Sequence, residues 1–242
     1  HFGHIELAKP VYHPGFIKKI KKILEIVCHN CSKVKADRSD PEFVRAVNTR
    51  EPKARFHRVW EICKKKRICD NTDNESSAAD DTFLPAGKTK APINHGGCGN
   101  HCPEIRHQGL TISAKSPQSN EEGGGNSRKK DLIPITAEQA MNIMRKISDD
   151  DLRDMGLNTD YARPEWMVVT VLPVPPPPVR PSVSMDGTGT GMRNEDDLTY
   201  KLGDIIRANS NVKQAMREGS PMHIQRDFTE LLQYHVATYM DN

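Results

Sequence analysis

The sequence predicts an α+β fold. It reads as a mostly helical module with a few short strands, stapled by a metal, then a proline-rich arm and an antiparallel helical hairpin. Three observations carry this reading. Apolar residues recur at helical spacing in several separated runs. One apolar, β-branched run at 166–172 leads directly into a cluster of prolines. Six cysteines include a C-x2-C pair at Cys28 and Cys31.

Composition sets the scale. The chain has 242 residues, a hydrophobic fraction of 36% and a mean hydropathy of −0.68, low for one compact domain. Modest cores joined by polar insertions are expected. The formal charge of +3 says little about partners, but its distribution says more. Lys18, Lys19, Lys21 and Lys22 cluster, as do residues 64–67 and 128–130. An acidic stretch with Asp70, Asp73, Glu75, Asp80 and Asp81 lies between the last two. Such runs are solvated faces first and phosphate contacts second. No stretch approaches the roughly 20 apolar residues of a membrane span, and no signal peptide is visible. The chain opens at His1 and ends at Asn242 inside a helical pattern, so an internal piece of a longer protein is expected.

The elements follow in order. Ile5, Leu7 and Val11 alternate with polar residues and predict a short strand. Phe16, Ile17, Ile20, Ile23, Leu24 and Val27 predict a helix, with Lys18, Lys19 and Lys22 opposite. A second helix begins at Pro41 with Asp40 as its cap, and Phe43, Val44 and Val47 form its stripe. A third spans 53–65, with Phe56, Val59, Trp60 and Cys63 on one face. Residues 70–95 read as an irregular acidic insertion, and 96–103 as a glycine- and cysteine-bearing loop. Leu110 and Ile112 suggest a short strand, and 115–130 a polar surface loop. Thr136 and Gln139 form a capping box for a helix carrying Ala140, Ile143, Met144 and Ile147. Ser148 and Asp151 repeat the signal for a helix that stops at Gly156.

The run at 166–172 shows no clear alternation and reads as a strand buried on both faces. Pro173 and residues 175–178 then favour polyproline II, a stiff extended arm ending at Arg180 and Pro181. A glycine-rich loop follows at 186–191. Residues 195–241 have the pattern of a helical hairpin turning at Gly219 and Pro221. Leu198, Leu202, Ile205, Asn209 and Val212 face Ile224, Phe228, Leu231 and His235, a coiled-coil stepping. Arms of about 15 residues would project about 23 Å.

The cysteines carry the chemistry. The turn Cys28-His29-Asn30-Cys31 can aim two thiolates at one ion. The other ligands must come from Cys63, Cys69, Cys98, Cys102 and the nearby His95 and His101. Cys63 lies on an apolar stripe and reads as a buried structural thiol. Cys69 sits beyond its helix end, Cys98 lies between Gly97 and Gly99, and Cys102, next to Pro103, is the main competitor. No secretory feature supports disulfides. A closed structural zinc site with four protein ligands fits best, and such a site holds structure without doing chemistry.

Long stretches carry a family resemblance. They are HFGHIELAKPV at the start, CHNCSK, GGCGN, RPEWMVVTVLPVPPPPVRPSV, EDDLTYKLGDIIRAN and LLQYHVATYMDN. Together they resemble the largest subunit of eukaryotic DNA-directed RNA polymerase II over nearly the whole chain. The loops at 70–95 and 115–130 match poorly. The resemblance implies most of the clamp, the mobile wall that closes over DNA. It implies a zinc-containing clamp segment at 1–113, a flexible loop at 114–131, and clamp-core helices with strand and proline arm at 132–183. A lid loop at 184–194 and a coiled-coil hairpin at 195–242 would complete it. The clamp zinc corresponds to Cys28, Cys31, Cys69 and Cys98. His1 matches the last ligand of a second zinc site whose cysteines would precede it, and alone should bind nothing. The stretch that matches the lid runs roughly from Arg180, at the end of the proline arm, through Met185 to Arg193, and the lid parts RNA from the template strand of the RNA–DNA hybrid.

The resemblance also implies partners: DNA template and hybrid, the second-largest and other polymerase subunits, and initiation and elongation factors at the coiled coil. It implies a nuclear location and no membrane. The motif that holds catalytic magnesium in this nucleotidyltransferase family matches nothing in these residues, so no catalysis by this chain alone is expected. Asp149, Asp150 and Asp151 sit at a helix start, where carboxylates favour the dipole. The competing reading is a stand-alone zinc-stabilised coiled-coil adaptor for protein partners. A C2H2-type DNA-binding regulator fits least, because the cysteine pairs are scattered.

Overall fold

Two stretches far apart in sequence meet in the first of two units. In the computed structural model, which describes residues 1–69, 97–115, 132–185, 187, 189 and 191–241, this unit joins His1–Ile17 to Met167–Asn242. Strand β1 (Gly3–Tyr12) pairs antiparallel with β5 (Val168–Val174). The register runs Gly3↔Val174 to Glu6↔Val171, then resumes at Val11↔Val169 after an irregularity. Pro10, which has no N–H to donate, lies in that interruption. Helices α6 (Asp197–Arg217) and α7 (Met222–Met240) form the hairpin, with Gly219 at φ +64° in the turn. At 1.5 Å per residue the arms reach about 30 Å, longer than the sequence pattern predicted.

One face of the two-stranded sheet lies on the hairpin. Val11 and Leu172 share a core with Leu202, Ile205, Ala208, Val212, Leu232 and Val236. The other face is open: Val171 is 48% exposed. The predicted strand buried on both faces is therefore corrected. Only Val168 and Leu172 of β5 are buried, and Trp166 lies in a 3-10 turn (Pro164–Met167) with 59% of its surface exposed. Among the described residues the helical hairpin packs on one face of this sheet. The proline arm is also shorter than expected. Pro177–Val179 form a 3-10 turn, and Arg180 donates its backbone N–H to the Pro177 carbonyl at 3.1 Å.

The seam of α6 follows the prediction, and Phe228 of α7 packs on the core as expected, but the later part of the α7 seam shifts by one residue. Leu232 and Val236 are buried where Leu231 and His235 were expected, and Leu231 is exposed. The cause is β1, which α7 meets together with α6. The carboxamide of Gln233 accepts from the Tyr12 N–H at 2.6 Å and donates to the Tyr12 carbonyl at 2.7 Å. Asn209 does the same from α6, accepting from Ala8 N–H at 2.7 Å and donating to the Glu6 carbonyl at 2.9 Å. Asn209 serves β1 where its pairing with β5 is interrupted, and Gln233 serves Tyr12, where the pairing with Val168 has resumed.

The second unit, Lys18–Trp166, carries the remaining helices. Helix α1 (Ile17–Ile26) buries Ile20, Ile23 and Leu24 as predicted. Phe16, expected on that stripe, is exposed and packs on His13 at 4.7 Å between ring centres. Helix α2 (Pro41–Val47) is capped by Asp40, with Pro41 at the first turn. Helix α3 (Pro52–Lys65) buries Phe56, Val59 and Cys63. The lysine face of α1 is not simply solvated: Lys19 sits over the Phe56 ring at 3.1 Å and Lys22 over Trp60 at 4.4 Å. The Trp60 indole donates to Glu25 at 2.7 Å.

Strands β2 (Glu104–Gln108), β3 (Thr111–Lys115) and β4 (Leu132–Ile135) form an antiparallel sheet in that order. Sequence periodicity predicted only one strand here, because β2 and β4 are short and lack an apolar alternation. Thr136 and Gln139 close the capping box of α4 (Ala137–Arg145), and Ser148 caps α5 (Asp149–Asp154). Gly156 follows at φ +78°, and a Cβ there would lie 2.6 Å from the Pro52 carbonyl oxygen. The acidic insertion at 70–95, His95 and nearly all of the loop at 115–130 lie outside the described residues. Among the described residues, no helix is long and apolar enough to cross a membrane.

Candidate metal centre

Helix α1 ends in a tight knuckle. The Cys28 N–H donates to the Lys33 carbonyl at 2.8 Å, and Ser32 N–H donates to the Cys28 carbonyl at 2.9 Å. Ser32 takes φ +62°, the left-handed conformation that turns the chain back. An isolated bridge between Val27 and Val34 closes the base. His29 is half-buried, which pushes its pKa down, and its Nε2 lies 3.0 Å from the Leu24 carbonyl at the helix end.

A second loop pair faces the knuckle. The Cys69 N–H donates to the Asn100 carbonyl at 3.0 Å, and the Cys102 N–H to the Arg67 carbonyl at 2.7 Å. Ile68 and His101 form an isolated bridge, and Gly99 takes φ +68° beside Cys98. The glycines around Cys98 thus permit the turn that the sequence suggested.

The result is a group of four sulfurs. Those of Cys28, Cys31, Cys69 and Cys98 all lie within 4.8 Å of one another. Cys28 and Cys98 are 3.5 Å apart, and Cys31 and Cys69 3.6 Å. Four thiolates at 2.3 Å around a tetrahedral ion are separated by about 3.8 Å, so the arrangement fits zinc. Soft thiolates suit zinc among the metals that prefer this geometry. A thiol hydrogen bond from Cys102, with backbone N–H groups of Cys31 and Asn30, holds the Cys28 thiol down to about 4 against burial. Burial raises Cys98, but the backbone and side chain of Asn100 outweigh it and leave that thiol lowered. Burial pushes Cys69 and Cys31 up, which a bound cation would reverse.

The competing ligands separate from this group. Cys102 is buried against it but is not among the four; its sulfur lies 3.8 Å from the Asn100 carbonyl. Cys63 is fully buried on α3, as its apolar stripe implied. His101 is exposed, and so is His1 in the first unit; neither belongs to the four-residue group. None of the six cysteines is in a disulfide.

The remaining predicted site residues lie in the first unit, around a small hairpin. Strands β6 (Val183–Ser184) and β7 (Arg193–Asn194) pair, and the Met185 N–H donates to the Met192 carbonyl at 3.2 Å. Met185 is 63% and Met192 81% exposed. Met192 was missed in the sequence, since only the hairpin pairing sets it beside Met185. Arg193 is exposed on β7. Arg180 points inward instead: its guanidinium donates to the Pro175 carbonyl at 3.0 Å and the Thr199 hydroxyl at 3.1 Å.

Residues 1–242, the whole chain, match the family model described as RNA polymerase Rpb1, domain 1. The chain belongs to the RNA polymerase Rpb1 family. Members of the Rpb1 family are largest subunits of DNA-directed RNA polymerase, a nucleotidyltransferase whose subunits assemble on DNA. The enzymatic activity is that of the polymerase, and its catalytic residues are not among these 242. In the Rpb1 chain described here, four cysteines can hold one metal, a donor set compatible with structural zinc.

Proposed function

We propose that this chain is the clamp and lid region of the largest subunit of nuclear RNA polymerase II, holding DNA and the RNA–DNA hybrid by shape and charge. The observation that carries the lid reading is the hairpin at 183–194. It presents Met185 and Met192 outward with Arg193 at its base, and Arg180 ties its root to Pro175 and Thr199. Apolar tips suit wedging between bases, and an exposed arginine suits a phosphate. Arg180 is then a positioning residue rather than a direct contact.

In this reading zinc on Cys28, Cys31, Cys69 and Cys98 is a structural staple with no open coordination position. Magnesium chemistry belongs to the complete enzyme. The α6–α7 hairpin is the docking surface for initiation and elongation factors, and the second-largest and other subunits surround the clamp.

The test is the lifetime of assembled polymerase on an elongation scaffold. Arg193→Ala should shorten it several-fold and lower the salt slope by about one phosphate contact. Paired Met185→Ala and Met192→Ala substitutions should raise the fraction of RNA left annealed upstream. Lifetimes and hybrid lengths equal to those of the unaltered enzyme would sink the lid assignment.

A further inference from the structure

A cavity of about 360 Å³ opens on the unit Lys18–Trp166, between α1, the end of α3 and β2. The metal centre does not use it. Its basic lining is Lys21, Lys35, Lys64, Arg67 and Arg106, with His107 beside them. Two carboxylates, Glu25 and Glu104, answer those five cations. Glu25 is committed to Lys21 at 3.3 Å and to the Trp60 indole at 2.7 Å. Glu104 is shared between Arg67 and Arg106, at a long 3.7 Å from each. The cavity therefore carries an excess of three positive charges.

Two further groups ask for an anion. Lys35 is 3% exposed, and its ammonium donates to the Lys66 carbonyl at 3.3 Å. No ion pair of Lys35 occurs among the described residues. A buried ammonium held by one long hydrogen bond is costly and favours a negative partner. Burial accordingly pushes its pKa down. The Nε2 of His107 is buried and has no hydrogen-bond partner among the described residues. It can carry the proton and donate it to a bound oxygen.

We propose that this cavity binds a free inorganic polyphosphate, of the diphosphate or triphosphate class. The volume lies in the range of small-ligand pockets. A diphosphate brings about three negative charges near neutral pH, against about two for orthophosphate, which matches the excess. A nucleic-acid backbone carries the same phosphate chemistry but spreads one charge per phosphate along an exposed track. It would reach the rim cations Lys64 and Arg106 and leave Lys35 and His107 unanswered. The inference does not rest on the clamp and lid reading, because every residue it uses lies in the unit Lys18–Trp166.

The experiment is equilibrium dialysis of labelled inorganic pyrophosphate against the complete, zinc-loaded chain. Saturable binding of one pyrophosphate per chain is expected, with sulfate and orthophosphate about tenfold weaker. The rim variants Arg106→Gln and Lys64→Gln should each weaken binding about fivefold with unchanged circular dichroism. Lys35→Gln should weaken it most. Pyrophosphate bound equally by wild type and the rim variants would overturn the site, and would mark mere chelation of the metal. Sulfate as strong as pyrophosphate would reduce it to a basic surface. A short duplex DNA supplied as competitor separates the two phosphate sources. Pyrophosphate that stays bound supports the proposal, and pyrophosphate displaced stoichiometrically by duplex overturns it in favour of the backbone.

Discussion

At the scale of single residues, the carboxamides of Asn209 and Gln233 act as partners for a strand whose ladder is interrupted. Each accepts one N–H of β1 and donates to one of its carbonyls. Asn209→Leu keeps the volume and removes both bonds, leaving Ala8 N–H and Glu6 C=O without their partner. That substitution should cost about 3 kcal/mol, read as a lower denaturation midpoint at unchanged slope. Asn209 was legible as a seam residue from its spacing. The strand it serves was not, because no local pattern links residue 209 to residue 8. The cysteines divide in the same way. The knuckle at Cys28 and Cys31 could be read from spacing, while Cys69 and Cys98 were chosen over Cys102 only through family resemblance. In the fold Cys69 and Cys98 lie with Cys28 and Cys31 in one group that could hold a metal. Zinc per chain, by elemental analysis of reduced protein, should stay near one in Cys102→Ser and fall towards zero in Cys69→Ser. The opposite pattern would mean that Cys102 is the ligand.

At the scale of elements, helices were more legible than strands. Helix starts are written in short-range chemistry: Asp40 before Pro41, Thr136 with Gln139, Ser148 before three aspartates. Each signal needs at most four residues to be seen. Thr136→Ala should therefore cost about 1 kcal/mol, and hydrogen exchange should show the loss first at the amide of Gln139, which Thr136 accepts at 3.2 Å. Equal exchange in both proteins would mean that α4 does not depend on its cap. Strands gave less. The run at 168–174 is apolar enough for two buried faces, yet its sheet has one partner strand and one covered face. Burial of a strand depends on what other segments lay across it, and sequence periodicity carries no record of that. The one-residue error in α7 has the same origin, since that helix meets β1 as well as α6.

At the scale of the whole molecule, the metal group joins three stretches of one unit: the end of α1, the end of α3 and the loop at 97–102. A chain of mean hydropathy −0.68 buries little to hold such stretches together. Removal of the metal with a chelator should raise hydrogen exchange across residues 20–36 and 97–106. The amides of α6 and α7 around Ile205 and Val236, which belong to the other unit, should keep their protection. A uniform loss across both units would mean that zinc supports the chain as a whole. The division of the chain has one more consequence, during synthesis. Strand β1 leaves the ribosome before its partner β5, which follows only after the whole unit Lys18–Trp166 has been made. At about 5–20 residues per second, β1 waits roughly 10–30 s with its backbone groups and Val11 uncovered. The nascent chain is most open to mispairing in that interval, and it is there that a chaperone would have something to hold.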